Sequence, residues 1–249
     1  MSNNIFPASE YWSPAVQKNV GTGATEAFRF RGLNAQQFAF NRINIGSNDQ
    51  SNLHKVKASA KLNKRNDVFD NVQLLALQRL FEDRTLKGGL VIENDKNLDI
   101  DVTNNHGSDI GIGIDLNGYT SPQYAKKKQQ YESRGRSIPE PVFLYGTETV
   151  PAGADSKSIA IELPTHDCML HRIAVSSGGD ANLKVSFRVA NTNIMPERYI
   201  SQVNDQFRPK KIITPIQIKS NLVFEALVSN EDNSNSYEVS IICEAYKVQ

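Results

Sequence analysis

The densest group of chemically versatile side chains is His166-Asp167-Cys168 with His171. Imidazole, carboxylate and thiolate are all zinc ligands, but zinc sites space their ligands in recognisable intervals that this group does not match. On a strand, Cys168 and His171 point to opposite faces, so the cluster reads as scattered polar residues at a strand start. A second stretch, Asp95, Asp99, Asp101, Asn104, Asn105 and Asp109, carries oxygen donors of the calcium type. It lacks the loop pattern and closing glutamate of an EF-hand, and Asp99 and Asp101 are expected on the solvent face of an alternating strand. Gly21-Thr22-Gly23 has neither the further glycine nor the preceding strand of a phosphate-binding loop, and GxSxG and HExxH motifs are absent. No catalytic residue, metal or cofactor is therefore expected. A β-sandwich hydrolase with paired carboxylates stays a rival, because such a pair leaves no trace in linear spacing.

The strongest charged feature is Lys126-Lys127-Lys128 followed by Arg134 and Arg136, with Glu132 the one acid among them. A solvated linker accounts for it; the functional alternative is contact with an anionic surface such as phospholipid headgroups. Tyr124 and Tyr131 flank the run, but no aromatic residues interleave with the cations as a single-strand nucleic-acid groove requires. Phe6, Tyr11 and the sole tryptophan, Trp12, fall in a stretch with no clear period that also holds Pro7, Pro14, Gly21 and Gly23. Residues 1–25 therefore read as an arm whose aromatics dock on the protein itself or on a neighbour.

The elements that hold these residues occur twice along the chain. Arg42-Ile43-Asn44-Ile45 is echoed about 130 residues on by Arg172-Ile173-Ala174-Val175. Val56, Ala58, Ala60 and Leu62 alternate with Lys55, Lys57, Ser59 and Lys61, and the same period returns in Leu183, Val185, Phe187 and Val189. Such alternation marks strands with one wet face. Each half ends in two more strand-like runs, at 98–102 with 110–116 and at 222–228 with 237–243. Residues 67–82 suit a helix, with Asp67 or Asp70 as its cap, and residues 196–207 hold the equivalent place in the second half. Gly111 and Gly113 lie between Ile110, Ile112 and Ile114, the pattern of a strand whose outer face is crowded by another backbone or subunit. The expected layout is all-β: an arm at 1–25, a first unit at 26–119, a linker at 120–149 with a short helix near 124–131, and a second unit at 150–249. One large sandwich is the alternative.

Composition narrows the function classes. The chain has 249 residues, 39% of them hydrophobic, which suits two thin sandwiches of roughly 100 residues each. A net charge of +1 gives no global sign of nucleic-acid binding. Cys168 and Cys243 both fall in strand-like runs and are expected as buried free thiols, with a bridge the alternative. Met1-Ser2-Asn3-Asn4 has no basic or apolar leader character and no apolar run approaches a membrane span, so synthesis in the cytoplasm as a soluble protein is expected.

Two tandem eight-stranded units, a helix between middle strands, an N-terminal arm and a chain without chemical motifs together resemble the double-jelly-roll major capsid proteins of tailless icosahedral viruses, especially membrane-containing phages of the corticovirus and tectivirus kind. The resemblance spans residues 28–246, and the chain is at the short end for such proteins. It implies two tandem jelly-roll β-sandwiches and a homotrimer whose six lobes form a pseudo-hexameric capsomer in the shell of a virion. It also implies contacts with neighbouring capsomers, penton or vertex proteins and an internal lipid membrane, without sequence-specific nucleic acid. The arm would reach beneath a neighbour, with Tyr11 and Trp12 as anchors. Rival readings are a jelly-roll host-attachment or carbohydrate-binding spike and a minor vertex protein.

Overall fold

The computed structural model describes residues 14–31, 38–62, 66–82, 85–93, 96–206 and 215–248. The first unit has eight strands: β1 (Ala15–Val20), β2 (Thr25–Arg31), β3 (Phe38–Ser47), β4 (Val56–Leu62), β5 (Asn66–Gln73), β6 (Leu90–Ile92), β7 (Asn97–Asn104) and β8 (Ile110–Thr120). They form two antiparallel sheets in the orders β1-β8-β3-β6 and β2-β7-β4-β5. The second unit repeats the plan with β9 (Pro141–Val150), β10 (Lys157–Ala160), β11 (Cys168–Ser177), β12 (Leu183–Val189), β13 (Thr192–Tyr199), β14 (Ile216–Ile218), β15 (Phe224–Asn230) and β16 (Tyr237–Lys247). Its sheets run β9-β16-β11-β14 and β10-β15-β12-β13, each strand number raised by eight. This is the two-sheet jelly roll, present twice. Helix α1 (Leu74–Phe81) follows β5, α3 (Ile200–Gln206) follows β13, and α2 (Ser121–Glu132) joins the units.

The duplication reaches fine detail. The β3–β8 ladder slips between Phe40 and Arg42, and the β11–β16 ladder slips between Leu170 and Arg172, so both units carry a bulge at the same place. Gly23 and Gly153 occupy the same turn with φ of 70° and 62°, a left-handed conformation that glycine adopts without a Cβ penalty. Beside each turn sits a buried asparagine. The Asn104 amide donates to the Val20 and Ser108 carbonyls, and the Asn230 amide donates to those of Pro151 and Asn235. Each asparagine also accepts from the backbone N–H two residues on, at His106 and Asp232.

Each sandwich encloses an apolar core. Phe28, Phe30, Ile100 and Ile114 are among the residues filling the first, and Val185, Phe187, Phe224 and Ile241 fill the second. Burying one such side chain is worth about 1.5–3 kcal/mol, which is what selects the alternating pattern seen in the sequence. Cys168 and Cys243 are free thiols within the second core. Burial pushes the Cys168 thiol up to about 11 and that of Cys243 higher still, so neither is a nucleophile.

Four stretches differ from expectation. Residues 67–73 are strand, and the helix is confined to Leu74–Phe81, because the β4 edge pairs with β5 and Ser59 Oγ donates to the Asp70 carboxylate and accepts from the Asn71 N–H. Residues 196–199 likewise belong to β13 and only 200–206 are helical. Within the stretch expected to be an arm, Ala15–Val20 pairs with β8 along its whole length. Within the expected linker, a helix does form, but residues 141–150 pair with β16 from Tyr246 to Tyr237. Strand β9 hides its period because Leu144 enters its own core while Phe143 packs into the other unit's core.

Candidate functional site

The residues singled out for chemistry do not converge. Cys168 points into the second core, whereas His171, at the bulge, meets the edge of the Tyr246 ring at 4.9 Å and shares a 3.2 Å hydrogen bond with Lys87 Nζ. Asp167 accepts from the Ser220 N–H. In the acidic stretch, Asp99 is 9% exposed and takes Arg29 Nε at 2.6 Å, a correction to its expected place in solvent. Arg29 was on the adjacent strand all along; the pairing is visible only once β2 and β7 are in register. Asn104 organises its turn and Asp109 accepts from the Thr22 N–H, while Asp95 lies outside the described residues. Among the described residues, no three His, Cys, Asp or Glu side chains gather where a metal ion would sit. Phe6, Tyr11 and Trp12 also lie outside the described residues.

What the fold does gather is a polar seam between the two units, which sequence reasoning missed. Strand β5 and α1 of the first unit lie on the outer face of β9, β16 and β11 of the second. At one end Arg79 donates to the Val175 carbonyl at 2.7 Å and to Asp180 at 2.6 Å, and Lys57 pairs with Glu238. In the middle Gln73, 1% exposed, accepts from Ser176 Oγ at 2.6 Å, and its backbone N–H donates to Ser240 Oγ at 3.0 Å. At the other end Arg172 pairs with Glu244 and reaches the Leu80 carbonyl, Tyr246 donates to Glu244, and the Lys87 N–H donates to Tyr246 Oη. Burial and the Glu244 charge push the Tyr246 phenol up, keeping it a donor. Apolar contact adds to this: Phe143 meets Phe69 edge-to-face and Phe81 at a tilt, with ring centroids 6.2 and 6.1 Å apart.

The seam also sets orientation. His54, in the 3-10 turn Gln50–Lys55 of the first unit, packs on Gly178, in the matching turn of the second. Gly88 meets Pro139, and Lys87 meets Tyr246, at the opposite end. The two jelly rolls therefore stand side by side and parallel.

Helix α2 sits at the end where both units have their termini. The Pro14 carbonyl accepts from the Leu116 N–H there, and the Lys247 N–H donates to the Glu140 carbonyl. Thr120 and Gln123 form a capping box that starts the helix. The helix buries no side chain. Lys127 is engaged, donating to Tyr119 Oη at 2.9 Å and lying over its ring, and Lys128 is 3.9 Å from Glu132. Lys126, Arg134 and Arg136 are exposed, with no ion-pair partner among the described residues. The exposed large hydrophobic residues among those described, Val223 and Val248, belong to the same end of the molecule. No helix among the described residues is long and apolar enough to cross a membrane.

An open groove of about 380 Å³ runs lower on the seam, with Leu62, Val68 and Leu163 in its floor and Asp67, Glu140 and Glu162 on its rim. All three carboxylates are exposed, unlike the desolvated acid of a glycosidase pair.

No protein-family model matches the sequence, and a search of curated proteins finds no relative. Solved structures similar in shape along nearly the whole chain include two of different kinds. One is the major capsid protein P2 from bacteriophage PM2, at 11% identity and a TM-score of 0.42, covering 95% of this chain and 98% of that one. The other is N-glycanase F (PNGase F), at 12% identity and a TM-score of 0.41, covering 96% of each. Both scores are below 0.5, so the functional reading rests on this chain's own geometry: two parallel jelly rolls fused through a buried polar seam.

Proposed function

We propose that this protein is a structural subunit of a virion shell, a major capsid protein without enzymatic activity, that associates in threes. The observation that carries the reading is the parallel fusion of two jelly rolls with one topology. A chain with two like lobes presents six around a threefold axis, and such a ring packs at the sixfold positions of an icosahedral lattice. The polar seam supports this role, since it holds the lobes at one fixed angle rather than leaving them on a flexible tether. Electron microscopy of the purified chain tests it: the expected particle is threefold with six lobes at its rim. Isolated two-lobed particles at all concentrations would contradict it.

The end bearing α2 is assigned to an anionic phospholipid surface. Free cations at Lys126, Arg134 and Arg136 supply about 1 kcal/mol each near such a surface, and Val223 and Val248 supply apolar contact that a nucleic acid would not use.

A further inference from the structure

The internal duplication identifies the surface through which copies join. In the second unit, the outer face of β9, β16 and β11 is covered by the first unit's β5 and α1. In the first unit the matching face, on β1, β8 and β3, has no such cover among the described residues, and Gly46, Gly111 and Gly113 form a shallow depression on it. The ladders place the two faces in register. Ser176 sits across from Ser240 in the second unit, and Gly46 sits across from Gly113 in the first, one residue beyond Val175↔Ile241 and Ile45↔Ile114 respectively. Ser176 and Ser240 are fully buried beneath Gln73. Their counterparts are glycines. Among the described residues, a Cβ on Gly46 would meet nothing within 4 Å, and one on Gly113 would meet only the flexible Gln17 side chain at 3.4 Å. Packing among the described residues thus gives no reason for glycine at either place, and neither has a left-handed φ.

The complementary surface is present on the second unit. Strand β13 is the free edge of its sheet and leads into α3, as β5 is the free edge of its sheet and leads into α1. Both helices send an amide to the same place on the middle strand of their own unit, Gln78 to the Ile45 carbonyl and Asn204 to that of Val175. Ser201 and Gln202 of α3 are exposed.

We infer that the β13–α3 side of one copy packs on the Gly46–Gly113 face of the next copy, repeating between chains the contact that β5 and α1 make within a chain. Such a head-to-tail contact is heterologous, and it closes when first and second units alternate around a ring of six, which three chains supply. The contact between chains is more polar than the one within, because Asn44 and Asp115 stand where Ala174 and Ile242 stand in the seam. That difference suits an interface whose surfaces must be stable in water before they meet.

The inference rests on the proposed self-association, and one series separates the two. Light scattering is run on the full chain, on Gly46→Arg, and on the double variant Ser201→Arg with Gln202→Arg, with the melting temperature of each as a check on folding. The expected result is a trimer of about 83 kDa from three chains of 27.7 kDa for the parent, and loss of that species in both variants with folding kept. A trimer that survives in either folded variant overturns the assignment of surfaces and leaves self-association standing. A monomeric parent overturns both. Should Gly46→Arg fail to fold, the double variant decides alone.

Discussion

At the scale of single residues, the paired asparagines and the seam histidines carry the sharpest expectations. Asn104 and Asn230, themselves buried, each satisfy two carbonyls and one N–H of a turn. Replacing either with alanine leaves those groups unpaired, at a cost of about 1–3 kcal/mol, and urea denaturation should show similar losses for both. Unequal losses would mean that the turns are not equivalent. His54 and His171 both titrate below the usual histidine range, chiefly because burial disfavours the charged ring. Lys55 and His106 add to the effect at His54 and Lys87 and Arg172 at His171, while Asp180 and Glu244 respectively oppose it. Because the folded form binds the proton more weakly than the unfolded form, stability is full above the unfolded pKa near 6.5 and is lost as pH falls below it, until the folded pKa is passed. The melting temperature should drop between pH 7 and pH 5, and the double variant His54→Asn with His171→Phe should flatten that drop. An unchanged slope would place the acid sensitivity elsewhere. Little of this was legible in the sequence, where Asn104 stood as one oxygen donor among several and His171 as one of the scattered polar residues at a strand start. Hydrogen bonds between residues far apart in the chain leave no periodic mark.

At the scale of elements, the two-residue period was a sound guide wherever a strand has one core face. Val56 to Leu62 and Leu183 to Val189 are strands as the alternation required. It gave no signal for β1, an edge strand with Val16 and Val20 as its large apolar residues, nor for β9, which is covered on both faces. The helix at 67–82 was half right, since the leucines at 74, 75, 77 and 80 do form α1 while Asp67 and Asp70 belong to a strand. Helix α2 is the element with the least to lose on mutation, because it buries no side chain. Reversing Lys126, Lys128, Arg134 and Arg136 to glutamate should shift the melting temperature little. It should, however, abolish flotation with vesicles containing phosphatidylserine, and high salt should do the same to the parent protein. Binding to duplex DNA in preference to those vesicles would reassign the basic end to nucleic acid.

For the whole molecule, what matters is that two units fold as one body. Arg172 and Glu244 are buried together at the seam, with side chains 10% and 3% exposed. Removing Arg172 would strand the Glu244 charge, which costs about 3–5 kcal/mol in comparable buried pairs, and Arg172→Ala should unfold at markedly lower urea concentration in one transition. Two separate transitions would show that the jelly rolls are independent domains. The sequence disclosed the duplication and its order of strands, but not that the first unit's edge would cover the second unit's sheet; that follows from residues such as Gln73 and Phe143 that look unremarkable in line. The native mass of the purified protein by light scattering tests the central claim most directly. The account predicts a stable species of about 83 kDa, three times the 27.7 kDa chain. A monomer of 27.7 kDa that persists at high concentration would contradict it.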